Sequence, residues 1–99
     1  MFEIGDFVDS IIRENEQFAA IDDVDILRVM KGNLTDKIEA QIFAMIVEEL
    51  PPIKQKEFDK LIDADNEDKL FAFITANIPN LDIKVGQLLI DIKKSYVGL

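Results

Sequence analysis

Three carboxylates at alternate positions, Asp63, Asp65 and Glu67, carry the spacing of the first three ligands in a calcium-binding helix–loop–helix. Hard oxygen ligands so spaced wrap one divalent cation only if the loop also turns at a glycine and closes with a bidentate glutamate. Asp68 and Ile74 occupy those two positions. Capping and hydration therefore explain the carboxylates, and no calcium site is expected. Asp22-Asp23-Val24-Asp25 is a second acidic cluster. Without backbone carbonyls fixed in a cage such clusters leave cations hydrated, and this one reads as a helix start. No metal and no cofactor are expected.

General acid–base chemistry most often uses histidine, with buried carboxylates or lysine as substitutes. The chain has 99 residues and contains no histidine, cysteine or tryptophan. Its Asp and Glu residues fall on predicted polar faces or in turns. Ser10 and Ser95 lie on polar helix faces with no base at helical spacing, and Thr35 reads as a cap. There is no glycine-rich phosphate loop. The expectation is a protein that is not an enzyme and has no catalytic residues.

Charge narrows the partners. The formal net charge is −9, and residues 1–27 hold eight acids against the single base Arg13. Such a surface repels phosphate backbones and anionic headgroups, so direct nucleic-acid binding and membrane binding are not expected. Two readings of the charge stay open: solubility through self-repulsion, and steering toward a basic partner. The longest apolar run, Ile42 to Val47, is six residues, against the roughly 20 a spanning helix needs. The N-terminus, Met1-Phe2-Glu3-Ile4-Gly5-Asp6, lacks the basic and apolar regions of a secretory signal. Without cysteines to argue otherwise, a cytoplasmic location is expected.

The elements that must position any surface are helical. Ile4, Phe7, Val8, Ile11 and Ile12 fall within an arc of about 140°, with Phe18 inside it, predicting an amphipathic helix over roughly 3–17. Asp22 or Asp23 caps a short second helix that carries Val24, Leu27 and Met30 inward and closes at Lys31-Gly32. Asn33 or Thr35 caps a third, about 35–50, apolar over most of its circumference and so expected to be surrounded. Pro51-Pro52 stops it. A fourth helix, about 53–63, turns Phe58, Leu61 and Ile62 inward. A fifth, about 66–77, buries Leu70, Phe71 and Ile74. A sixth, about 81–96, gathers Val85, Leu88, Leu89, Ile92 and Tyr96 on one face. Short connections then predict an all-α fold, a compact bundle of five or six short helices, orthogonal or up-down. One domain spans 1–99, with a possible acidic helical pair, 1–32, packed on a core, 33–99.

Core packing leaves one feature of the sixth helix over. Ile83, Ile90 and Val97 recur every seven residues on an arc apart from the main stripe. They mark either a second apolar face for a partner helix or a homodimer, or a helix packed between two neighbours. Gly86 beside this arc points to close helix approach.

Along residues 37–96 the order of signals is distinctive. Ile38-Glu39-Ala40-Gln41-Ile42-Phe43 opens a buried helix that Glu48-Glu49-Leu50-Pro51 closes. Glu57-Phe58-Asp59-Lys60-Leu61 follows, and Phe73-Ile74 leads through Ile78-Pro79-Asn80-Leu81 into the last helix. This order resembles a family of short, acidic, all-helical bacterial proteins of unknown function, common in the candidate phyla radiation. The resemblance implies a helical fold and no activity or site.

The functional expectation is an interaction module that binds another protein or itself, with Ile83, Ile90 and Val97 as its contact residues. The alternative is an acidic electrostatic binder or inhibitor of a basic, nucleic-acid-binding protein.

Overall fold

Asn15 ends the first amphipathic stretch earlier than its periodicity predicts. Its side chain accepts hydrogen bonds from the backbone N–H groups of Gln17 and Phe18, 3.0 and 3.1 Å, which caps a new short helix instead of extending the old one. The computed structural model describes residues 3–97, so Met1, Phe2 and the last two residues of the 1–99 domain lie outside it. Among the described residues the fold is all-α, with six helices: α1 Gly5–Glu14, α2 Glu16–Ala19, α3 Val24–Glu49, α4 Pro52–Asp63, α5 Glu67–Asn77 and α6 Leu81–Val97.

The number six arises differently from the predicted partition. The first predicted helix splits at Asn15, while the second and third fuse into the 26 residues of α3. Asp23 is the cap, its carboxylate accepting from the N–H groups of Asp25 and Ile26 at 2.9 and 3.2 Å. Gly32, Asn33 and Thr35 do not mark an end and a beginning; they lie in the helix interior. A glycine there costs about 1 kcal/mol relative to alanine. A break would strand up to four carbonyls and four N–H groups, which is worse. Lys31 also pairs with Asp9 of α1 at 2.9 Å, holding this stretch of α3 against its neighbour.

The structure also removes the close helix approach expected at Gly86. A Cβ built on Gly32 or on Gly86 meets nothing within 4 Å. Gly32→Ala and Gly86→Ala should therefore each stabilise the chain by about 0.5–1 kcal/mol, through the backbone entropy of the unfolded state. A thermal melt followed by circular dichroism should rise by a few degrees for each.

α1 packs against α2, α3 and α6, and α3 packs against α6. One ion pair crosses each contact of the α1–α3–α6 trio: Asp9–Lys31, Glu14–Lys93 at 2.5 Å, and Glu49–Lys84 at 2.6 Å. Such half-exposed pairs contribute about 0–1 kcal/mol each, so they set orientation more than stability. Lys84 meets Glu49 while the Lys37 ammonium lies over the Tyr96 ring, 5.8 Å from its centroid. α6 therefore runs antiparallel to α3. Asn15 Nδ2 donates to the Tyr96 carbonyl at 2.6 Å, tying the end of α6 to the α1–α2 corner.

The α4–α5 hairpin joins through Phe58, which is 1% exposed, its ring 5.3 Å from that of Phe43. One core cluster runs from Ile4, Val8 and Ile11 through Ile38, Ile46 and Phe58 to Ile78 and Ile92. The proposed boundary between an N-terminal pair and a core, near residues 32–33, falls inside continuous helix, and α1 contributes to the same cluster. Two residues expected inside are exposed: Val24, which opens α3 just after its cap, and Phe71, on the edge of the α5 face that Leu70 and Ile74 bury.

The bundle is drawn out along α3. Its radius of gyration is 15.6 Å and its extents are 47 × 27 × 17 Å, against about 13 Å for an ordinary domain of this length. A 26-residue helix spans about 39 Å by itself. The 17 Å dimension holds two layers of helices at 8–10 Å spacing, and a third would not fit.

Candidate functional site

Two layers leave an outer face on every helix, and on α3 and α6 that face carries exposed apolar residues among polar ones. At 100° per residue, Leu34, Ile38, Ile42 and Ile46 form the buried row of α3. On the opposite side, within an arc of about 100°, lie Ile26, Val29, Ala40, Phe43, Ala44 and Val47. Val29 is 62% exposed, and Ile26 and Val47 are exposed as well. The expectation that this helix is surrounded is thus corrected: its circumference is apolar, but only one side is covered. On α6 the sequence-predicted residues behave alike. Ile83 is 66% and Ile90 51% exposed, opposite the buried Leu81, Val85 and Ile92. Val97, at the end of the same row, is half-buried.

Where α3 meets the α4–α5 turn, the flank between its outer face and its buried row, which Ile42 lines, opens into a cleft of about 280 Å³. Phe43, Leu61, Ile62 and Leu70 give it apolar walls, and Glu39, Asp65 and Glu67 stand at its edge. The turn is built by local rules. Asp65 takes a left-handed conformation, φ 53°, and its N–H bonds the Ile62 carbonyl at 3.0 Å, closing α4. Asn66 then accepts from the Lys69 N–H at 3.1 Å, capping α5. Beyond the cleft the depression opens onto a shelf of α3 lined by Asp36, Ala40, Ala44 and Val47, with Glu39 and Phe43 common to both.

The carboxylates with calcium-like spacing are thus a helix end, a left-handed turn residue and a helix start. Among the described residues no three acidic side chains converge as a metal site would require. None of the described polar or charged side chains is buried. Ser10 Oγ and Ser95 Oγ donate to the carbonyls of Phe7 and Ile92, at 2.7 and 2.8 Å, within their own helices. No helix among the described residues is long and apolar enough to cross a membrane.

Sequence reasoning found the α6 row and missed the α3 row. The signal was present in the near-continuous apolarity of residues 38–47, which reads equally as burial on every side. The chain matches no family model, no curated protein and no solved structure.

Proposed function

We propose that this chain is a non-catalytic interaction module of the cytoplasm, binding another protein or a second copy of itself through the outer rows of α3 and α6. One observation carries the reading: the two longest helices each keep a second apolar row uncovered, opposite the row that builds the core. Single exposed apolar residues are ordinary on protein surfaces, whereas rows at helical spacing are the usual contact surface of helix partners. The non-catalytic part is supported by the side chains themselves. With no histidine or cysteine in the sequence and no charged group buried among the described residues, no group has the dry setting that tunes an acid or base.

Ile83→Asp with Ile90→Asp tests the α6 row. Light scattering after size exclusion should show the apparent mass falling to the 11.3 kDa of one chain, or a captured partner should be lost. An unchanged mass with the partner retained removes this row from the reading.

The acidic surface supports the second reading, an electrostatic binder of a basic, nucleic-acid-binding protein. Its mark is binding that collapses as salt rises, since exposed charges are screened beyond roughly 8–10 Å near physiological ionic strength. Binding through apolar rows holds or tightens as salt rises.

A further inference from the structure

Because Glu39 and Phe43 line both the cleft and the shelf, the two form one depression running along α3 from Asp36 to Val47. Its floor is apolar and its rim is acidic. Asp36 and Glu39 project from α3, Asp65 and Glu67 from the α4–α5 turn, and no lysine or arginine lines either part. Among the described residues no ion pair engages Asp36, Glu39 or Asp65. With Asp36, Glu39 and Asp65 free of ion pairs, the apolar floor favours an occupant whose apolar side chains are flanked by cations.

The geometry points to a docking site for a cationic amphipathic α-helix of another protein, lying along α3 with its apolar side on the floor and its lysines or arginines against the rim. This rests on the interaction-module reading and names the partner chemistry for one of its surfaces. From residue 36 to residue 47 α3 rises about 16 Å, which accommodates about three turns of an occupant. Ala40 and Ala44, one turn apart, let two helix backbones approach within the usual 8–10 Å. Three other occupants fit worse. A second copy carries −9 itself, so two copies repel as wholes. A nucleic acid or anionic lipid would set phosphate against the rim carboxylates. An extended peptide would need a strand edge to pair with, and the described residues contain no strand.

The absence of tryptophan from the sequence makes the test direct. A synthetic helical peptide of leucine and lysine, about 16 residues long with one tryptophan on its apolar side, is titrated with the whole chain. Its emission should shift to the blue and saturate, while a leucine–glutamate twin should bind at least tenfold more weakly. Asp36→Lys with Glu39→Lys should weaken the leucine–lysine peptide at least tenfold. Asp22→Lys with Asp59→Lys makes the same charge change outside the depression and should weaken it no more than twofold. Ala44→Asp should weaken binding at least fivefold although it adds an anion, because it places a carboxylate on the floor. Circular dichroism checks that each variant keeps its helices.

Equal losses from the two double reversals would mean that net charge alone holds the peptide, and the site falls. An unchanged or tighter Ala44→Asp complex would show the floor unused and would overturn the site as well, as would no binding at all. If those results came while Ile83→Asp with Ile90→Asp still altered mass or partner capture, the interaction-module reading would stand without this site.

Discussion

Phe58→Ala should lower the stability of this chain by about 3–5 kcal/mol, the range for removing a buried aromatic ring and leaving a cavity. A domain of 99 residues holds only about 5–15 kcal/mol in total. At roughly 4–8 °C per kcal/mol, the melting midpoint should fall by about 12–40 °C. The effect is large because of where the ring sits. Phe58 is the one residue of α4 that is fully buried, and its ring meets that of Phe43, at the edge of the outer arc of α3, at a tilt. Removing it loosens the α4–α5 hairpin, and with it one wall of the acid-rimmed cleft. Phe58→Leu refills most of the volume and should cost under about 1.5 kcal/mol. If Phe58→Ala melted within a few degrees of the parent, the hairpin would not be packed as described.

Ile46 and Val47 are neighbours in sequence and should respond unequally to the same uncharged substitution. Ile46 is fully buried and lies in the core row of α3. Ile46→Asn loses the apolar contacts of a core isoleucine and places an amide where no partner awaits it, a combined cost of about 4 kcal/mol or more. Val47 belongs to the outer row. Valine and asparagine have similar helix propensities, but Val47 is only 36% exposed, so Val47→Asn should cost about 1–2 kcal/mol, well below the loss at Ile46. Urea unfolding measures both. Similar large losses at the two positions would mean that α3 is covered on both sides and that no outer row exists.

Much of the helical architecture was legible in the chain. The inward residues of α1 and α6, the prolines after Leu50, a cap at one of Asp22 and Asp23, and the buried Leu70 and Ile74 of α5 sit where periodicity and end chemistry place them. These are local effects, in which a side chain within a few residues satisfies or breaks the backbone. The errors came where two local options lay within about 1 kcal/mol. Lys31-Gly32 can close a helix or sit inside one, and contact with α1 favoured continuity. Asn15 can ride in a helix or cap the next, and its third side-chain hydrogen bond, donated to the Tyr96 carbonyl, links residues 81 apart.

The site divides the same way. Ile83 and Ile90 were legible because they stand apart from the α6 core stripe at a seven-residue repeat. The outer row of α3 was not, since a helix apolar on two opposite sides has the same sequence whether both are covered or one. By itself the sequence determined that the chain would form amphipathic helices and lacks histidine and cysteine, because residue type and 3.6-residue periodicity fix those. Only the tertiary structure decided which apolar faces stay bare. The 17 Å thickness holds two layers, so no third layer covers the outer faces, and the count of layers is a property of the whole packing that no single segment encodes.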